Sequence, residues 1–343
     1  MIKEISNKIK VYNIFFIYFI FFFHCDARFY IFLVEPLSYI IGSIGLSFFF
    51  MISGYFMFAG MRDDNAVKRS LKRIKTLFLP YIFWNLVFYI YFVIRDPYMR
   101  KTPLKTVLFR FAFQPYNDVL WYMSTLFIFS IVAFLLYKII KNKVAAFVFL
   151  VAISIVLVIV CVINQAWMVE NLKLGWWITK ITPYIPMYLF GGIAGLHYKE
   201  KIKEPEAKWV WPLFFVLSCG LILFKYKFDE VPICYWLSMF FGPIIMWFGL
   251  PDKWFKDNKI IDFLCEPSFL IYEFQLMSFW IFQAIYKNFG FTDKQRELLI
   301  WFSALVFIYA VYYISKKFTP HLLGIATGFR SGSEFKKKVI KEK

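Results

Sequence analysis

The sequence predicts an all-α integral membrane protein with about ten transmembrane helices and with both its N- and C-termini in the cytosol. The first observation is composition: 61% of the 343 residues are hydrophobic, 23% are aromatic and only 18% are charged, and the mean hydropathy is +0.61. A soluble protein of this length would leave large apolar patches in water, which soluble proteins avoid. The second observation is that the charged residues cluster in short runs between long apolar stretches. Lipid-facing side chains are apolar, so a bilayer accommodates both features.

Ten apolar stretches approach the ~20 residues that a helix needs to cross a bilayer. They lie at about 11–24, 39–60, 77–94, 118–140, 144–163, 176–198, 209–224, 232–250, 264–286 and 298–316. Spanning strands are excluded, because open sheet edges would leave backbone groups without hydrogen bonds in lipid. We therefore predict a single transmembrane domain over residues 1–320 and a basic cytosolic tail over residues 321–343.

The orientation of the helices is predicted from the Lys and Arg residues, which concentrate in cytosolic loops. With the N-terminus in the cytosol, the cytosolic segments hold 27 of the 40 Lys and Arg residues. This ratio favours both ends in the cytosol of a multi-pass plasma-membrane protein. The exception is the predicted external loop at 95–117, which carries five basic residues. We interpret it either as a solvated amphipathic loop or as a binding site for an anionic partner.

The apolar stretch at 176–198 contains two prolines followed by three glycines. Pro183 and Pro186 each remove a helix donor, and Gly191 and Gly195 lie four residues apart on one helix face. Small residues at this spacing allow two membrane helices to approach closely. The alternatives are therefore a closely packed helix and a broken helix that lines a cavity.

The net charge of +18 would suit either nucleic acid or an anionic membrane surface. The basic residues flank apolar spans and do not form a folded basic domain, so we predict membrane lipids, and not nucleic acid, as partners. The five cysteines show no C-x-x-C spacing. Neither a metal site nor a disulfide framework is therefore predicted.

His24 is the first residue whose position suggests chemistry. It ends the first apolar run, whereas His197 and His321 lie at a helix end and in the tail. An ionisable group in or at the edge of a membrane is costly and is a functional hypothesis by default. An imidazole takes a proton from a hydroxyl near neutral pH, as acyl transfer requires. The alternative is an interfacial histidine that caps the first helix.

Five further stretches resemble, in order, the sequence signatures of one family of membrane enzymes. After the helix that ends in His24, the chain reads SFFFMISGYF at 47–56, KRIK at 72–75 with LPY at 79–81, LWYM at 120–123, YLFGG at 188–192 and SFLIY at 268–272. Each is similar to the corresponding signature of the acyltransferase 3 family of membrane O-acyltransferases. The similarity covers about residues 8–316 and implies a ten-helix fold, so the predicted domain at 1–320 is interpreted as acyltransferase-3-like.

The resemblance implies transfer of an acyl group, usually acetyl from acetyl-CoA, to a hydroxyl of a cell-envelope glycan or a small molecule. By carry-over, His24 is the catalytic base, and acyl-CoA is a donor substrate and not a permanently bound cofactor. Four cations are expected to meet the CoA phosphates, because clustered basic groups bind phosphate well. They are Arg69, Lys72, Arg73 and Lys75. The alternative is that these residues only set the topology.

Two positions depart from the family pattern. The family commonly has an Arg eleven residues before the His, on the same helix face and roughly 16 Å away, where this chain has Asn13. Lys10, one turn earlier, is expected to extend toward the cytosol instead. The family often has a second His where this chain has Gln275, which hydrogen-bonds but does not exchange protons. Beside it, Glu273 is expected either to orient His24, as carboxylates orient imidazoles, or to form a structural ion pair.

Three more residues complete the candidate pocket: Ser53, Asn85 and Trp121. Ser53 or Asn85 is a candidate donor to the oxyanion that forms during acyl transfer.

Two rival functions stay open. A transporter or flippase of a lipid-linked sugar would need a through-going polar cavity and no histidine, and a catalytically silent family member is suggested by the departure at Asn13.

Overall fold

The computed structural model describes residues 3–31, 34–61, 66–113, 115–142, 184–197, 232–249 and 258–329, with a few more between 144 and 156, between 213 and 220 and at 255–256. Within this part of the chain every regular element is a helix and no strand occurs. The predicted all-α class is therefore confirmed.

Eleven helices of the described part are numbered here in chain order. They are α1 (Lys3–Phe23), α2 (Val34–Met61), α3 (Ala66–Arg95), α4 (Leu104–Phe113), α5 (Trp121–Ile140), α6 (Ile185–His197), α7 (Pro232–Gly249), α8 (Lys259–Cys265), α9 (Ser268–Tyr286), α10 (Asp293–Phe318) and α11 (Pro320–Thr327). Short 3-10 helices lie at Asp26–Tyr30, Met99–Lys101 and Asp118–Leu120.

Five of the described helices contain segments that are long and apolar enough to cross a membrane. These segments are Glu35–Ala59, Leu71–Arg95, Asp118–Tyr137, Ser268–Tyr286 and Asp293–Phe318. Each falls on one of the ten predicted spans. Helix α1 covers the first predicted span, and α6 and α7 cover parts of two more. The predicted spans at 144–163 and 209–224 lie mostly outside the described residues, so the count of ten stays a prediction.

Helices α1 and α9 run parallel to each other, and their contacts relate positions along one helix to positions along the other. Halfway along α1, the side chain of Asn13 contacts Ser268 at the start of α9. Further along, Phe21 packs on Phe279 with ring centroids 4.7 Å apart. Residues along α9 can therefore be matched in height with residues along α1.

The end of the bundle at which α1 begins is called the N-terminal face below, and the end at which α1 stops is called the distal face. Two ion pairs mark the N-terminal face: Lys10 with Asp262 at 2.7 Å, and Lys316 with Glu266 at 2.6 Å. The start of α1 and the end of α10 therefore lie on the same side of the protein.

Aromatic side chains fill the interior between the helices. Helix α2 runs antiparallel to α1, with the rings of Tyr12 and Phe48 5.2 Å apart. One buried apolar cluster centres on α2 and includes Phe48 and Phe50, and a second centres on α9 and includes Phe88 and Phe279. Tyr122 of α5 packs against both clusters and so joins the two halves of the bundle.

Helices α2 and α6 touch backbone to backbone through glycines. A Cβ atom added to Gly191 would overlap the carbonyl oxygen of Met51, and one added to Gly54 would overlap that of Tyr188. A Cβ atom added to Gly195 would also overlap the backbone of α2, at the carbonyl oxygen of Tyr55. Because α6 is continuous from Ile185 to His197, these glycines serve close packing, which is the first of the two alternatives expected for this stretch.

The segment predicted as an external loop at 95–117 instead descends into the bundle. Tyr116 and Asn117 are buried. The backbone N–H of Tyr116 donates to Asn85 Oδ1 at 2.9 Å, and Asn117 Nδ2 donates to the carbonyl of Glu273 at 3.1 Å. Asn85 lies near the middle of the membrane-spanning part of α3. Helices α4 and α5 therefore form one broken span, with the break at residues 115–120, and only the residues before α4 stay at the distal face.

Helix α11 folds back onto α3 after α10 has ended. Trp84 Nε1 donates to the carbonyl of Ala326 at 3.0 Å, and Leu323 is buried. Gly328 ends the helix with φ +62° and lies against the backbone of Thr76, where a Cβ atom would not fit. The described part of the predicted tail, up to Phe329, is thus packed on the bundle, and a free basic tail would begin after it.

Candidate active site

His24 lies one residue beyond the end of α1. Its backbone N–H still donates to the carbonyl of Ile20 at 3.1 Å, so it continues the last helical turn at the distal face. The imidazole is exposed and stands edge-on to Phe23, with ring centroids 5.4 Å apart. A substrate hydroxyl arriving from the distal face can therefore approach it.

Asn13 lies on the same side of α1 as His24, because eleven residues bring a helix back to within about 20° of its starting direction. Its Nδ2 donates to Ser268 Oγ at 2.9 Å and contacts Cys265 Sγ at 3.5 Å. Asn13 therefore connects α1 to the start of α9. Lys10 points to the N-terminal face, as expected, in the ion pair described above.

Helix α9 presents Gln275 to α1 and Glu273 to another side. Gln275 shares the helix face of Ser268 and Phe279, which both contact α1. Glu273 is turned about 140° from Ser268 around the helix. Both side chains are fully buried, and Gln275 Nε2 donates to the carbonyl of Tyr272 at 3.0 Å. Within the described residues, Gln275 Oε1 has no hydrogen-bond partner.

Glu273 and His24 also differ in height along the bundle. Glu273 lies six residues before Phe279, and His24 lies three residues after Phe21, which is level with Phe279. At 1.5 Å per residue these intervals add to an axial separation of about 13 Å, compared with about 10 Å for Gln275. Gln275 is thus the nearer of the two and faces the same helix. The expected pairing of Glu273 with His24 stays a prediction.

The backbone of Glu297, a residue that is not among the candidates predicted from the sequence, lies beside the residue after His24. Cys25 Sγ is 3.8 Å from the carbonyl oxygen of Glu297, whose buried side chain pairs with Arg296 at 3.4 Å. Burial raises the pKa of the Cys25 thiol to about 12, so this thiol is uncharged at neutral pH. The sequence offered no signal for Glu297, because acidic residues are common near the start of any helix.

Arg73 is the predicted phosphate-binding cation that enters the bundle. Its side chain is half-buried and interacts electrostatically with the phenol groups of Tyr122 and Tyr188. Tyr122 in turn stands edge-on to Tyr272, with ring centroids 5.7 Å apart. These side chains form a row of polar groups from the N-terminal face toward the middle of α9.

Two of the other predicted cations do not gather around Arg73. Lys72 and Lys75 are exposed, and they are turned about 100° and 160° away from Arg73 around α3. The side chain of Arg69 lies outside the described residues. The structure therefore supports one inward cation and two surface cations at this position.

The remaining candidates lie near the middle of the bundle. Asn85 Oδ1 is occupied by the backbone N–H of Tyr116, so this side chain holds the broken span in place. Trp121 is half-buried and packs on Tyr184 with ring centroids 5.6 Å apart. Ser53 is buried in α2. Among the described residues, no group of three or more His, Cys, Asp or Glu side chains could hold a metal ion.

Comparison with known proteins assigns the chain to a family. A family model described as an acyltransferase domain, of the acyltransferase 3 type, matches residues 13–316. A search of curated proteins and a search of solved structures each find no match. The matched range contains His24, Arg73, Gln275 and every other candidate residue named above. With nearly the whole chain matched, and with five helices in the described part long and apolar enough to cross a membrane, this protein belongs to the acyltransferase 3 family of membrane acyltransferases.

Proposed function

We propose that this protein transfers an acyl group, in the simplest case acetyl, from acyl-CoA to a hydroxyl group of a cell-envelope glycan. The observation that carries the proposal is the exposed imidazole of His24 at the distal end of α1, in a chain of this family. The imidazole is the natural general base for deprotonating a hydroxyl near neutral pH. The identity of the donor and of the acceptor is part of the proposal.

In the proposed reaction, His24 accepts the proton of the acceptor hydroxyl while the hydroxyl oxygen attacks the carbonyl carbon of the thioester. The carbon–sulfur bond then breaks, an oxygen ester forms, and the imidazolium returns the proton to the departing CoA sulfur. Gln275 lies about 10 Å from His24 along the bundle axis and is the nearer polar candidate for orienting the reacting groups. Asn13 lies about 16 Å from His24 and bonds Ser268.

The donor is proposed to bind from the N-terminal face. Arg73 supplies a partly desolvated cation there, which suits the phosphates of CoA. Phe88 packs on Trp280, the residue after Phe279, and so marks the level of Phe279 on α3. Arg73 lies fifteen residues before Phe88. Adding the last turn of α1, His24 lies roughly 25–30 Å from Arg73 along the bundle axis. A donor held by its phosphates at Arg73 must therefore extend its acyl end through most of the bundle.

The N-terminal face is proposed to be cytosolic, because 27 of the 40 Lys and Arg residues fall on segments assigned to that side. Acyl-CoA is a cytosolic compound, whereas envelope glycans are exposed on the outer side of the plasma membrane. With His24 at the distal end, the proposal is that the acceptor binds from the outside and that the acyl group crosses the membrane within the protein.

Substitution of the histidine tests the proposal. His24→Ala should abolish acylation of envelope glycans while leaving expression and membrane insertion intact, because a general base contributes about 10²–10⁴-fold to rate. The measurement is mass spectrometry of envelope glycans from cells with the wild-type gene, the variant or no gene. His321→Ala is the matched control, since His321 is exposed on α11 at the other end of the bundle.

The same experiment separates the rival functions. Normal glycan acylation in the His24→Ala variant would remove the mechanism and favour a transporter or flippase of a lipid-linked sugar. No difference between the wild type and the deletion would favour a catalytically silent family member, in which Asn13 replaces an arginine that the activity requires.

A further inference from the structure

The break between α4 and α5 places a carboxylate at the middle of the membrane-spanning bundle. Asp118 follows Asn117, which is bonded to Glu273, and the same segment is bonded to Asn85. Asn85 is ten residues before the end of α3 at Arg95, so Asp118 lies about 15 Å in from the distal end of that helix.

Asp118 differs from its neighbours in exposure. Tyr116, Asn117, Val119 and Leu120 are buried, with exposures between 0 and 7%, whereas the side chain of Asp118 is exposed. The backbone around it is fixed, since Asn117 Oδ1 accepts from the Val119 N–H at 3.0 Å and Tyr272 donates to the Val119 carbonyl. The exposure therefore belongs to an ordered segment whose other side chains face inward.

An exposed carboxylate at this depth requires water or a polar ligand around it. A charged group that faces hydrocarbon is costly, and acidic residues at membrane depth almost always face a bundle interior or a water-filled cavity. Irregular backbone at this depth is likewise tolerated where it is buried in protein or lines such a cavity. Both features coincide at residues 115–120.

We propose that the helix break opens into a water-filled cavity in which Asp118 binds hydroxyl groups of the sugar acceptor. A carboxylate accepts hydrogen bonds from several hydroxyls at once. Trp121 follows three residues later on the same side of the 3-10 turn, because that helix has three residues per turn. Its half-buried ring offers an apolar surface beside the carboxylate.

The sugar part of this inference rests on the proposed function, whereas the cavity does not. Asp118 is held at the level of Glu273. His24 lies about 13 Å closer to the distal face than that level. An acceptor of more than one sugar unit could thus reach His24 with one unit and Asp118 with the next.

Thiol labelling tests the cavity. In a background in which all five cysteines are replaced, Asp118→Cys is compared with Leu120→Cys, which is buried, and Leu108→Cys, which is exposed on α4. A charged, membrane-impermeant thiol reagent reacts with the water-accessible thiolate, so Cys at 118 should react at least about tenfold faster than at 120 or 108. A rate at 118 as slow as at 108 would show that the position faces lipid and would overturn the proposal.

Kinetics test the acceptor. Asp118→Asn keeps the shape of the side chain but removes its charge, so the KM for the glycan acceptor should rise about 10–100-fold with a smaller change in kcat. Hydrolysis of acetyl-CoA without acceptor should be unchanged. A variant that loses donor hydrolysis but keeps the acceptor KM would refute acceptor binding. If the wild type transfers no acyl group, the proposed function fails, and the labelling result still decides the cavity.

Discussion

Single residues on the facing surfaces of α1 and α9 distinguish this chain from the pattern that it otherwise resembles. Asn13 and Gln275 stand where charged or titratable side chains are common in the family, and each is bonded within the bundle: Asn13 to Ser268, and Gln275 to a backbone carbonyl. Of the three positions Asn13, Gln275 and His24, His24 is the one that carries a side chain able to exchange a proton near neutral pH. The chemistry proposed above depends on that single imidazole.

At the same scale, the structure separates Arg73 from the cations around it. Arg73→Ala should weaken binding of acetyl-CoA about 10–100-fold, because a hydrogen bond to a charged group contributes about 1.5–3 kcal/mol. Lys72→Ala is the matched control, since Lys72 is one residue away but exposed. Binding is measured on purified protein at low and high ionic strength, where the loss should be larger at low salt. Equal effects of the two substitutions would indicate that both residues only set the orientation of the helices in the membrane.

At the scale of elements, the glycine contact between α2 and α6 is the tightest helix pairing in the described part. Gly191→Ala should lower stability by about 1–3 kcal/mol or more, because its Cβ would overlap the Met51 carbonyl and force the helices apart. Gly42→Ala in α2 has open space around its Cβ and should be neutral or stabilising by up to about 1 kcal/mol. Thermal unfolding in detergent compares the two. Similar melting temperatures would contradict the packing described here.

The sequence predicted the continuous helices well but not the broken one. Helices α2, α3, α9 and α10 follow from long apolar runs, whose length matches the membrane thickness. Helix α4 is only ten residues long and lies among five basic residues, so no apolar span is predicted there and the segment is assigned to an external loop as an exception to the charge rule. The bonds that bring it inside come from Asn85 and Glu273, which are distant in the chain and carry no local signal.

The candidate site shows the same division. His24 was found from its position at the end of an apolar run, and Arg73 from a basic cluster. The opposite orientations of Gln275 and Glu273 follow from helix geometry only once the face of α9 that meets α1 is known. Asp118 gave no signal at all, because its significance depends on its depth in the bundle.

For the whole molecule, the fold requires that residues near both ends of the chain share one side of the membrane, as the ion pairs of Lys10 and Lys316 show. Reporter fusions at Lys72 and at the C-terminus should therefore report the same compartment, which we predict to be the cytosol, and an insertion at Gly290 should report the other. Fusions at Lys201 and Lys173, both outside the described residues, test the ten-span count. A cytosolic result at Lys201 and an external result at Lys173 are expected, and the reverse at either would remove a helix from the count.

The broken span also has a consequence for how the protein is made. During synthesis α4 leaves the ribosome as a short, partly basic segment, which is too brief to be recognised as a spanning helix. The carbonyl of Glu273 that receives Asn117 is translated more than 150 residues later. The bond from Asn117 to Glu273 can therefore form only after α9 has been synthesised, whereas the bond from Tyr116 to Asn85 can form earlier. A chain truncated before α9 would keep the contact with α3 but lack the one that holds Asn117 at the level of Glu273.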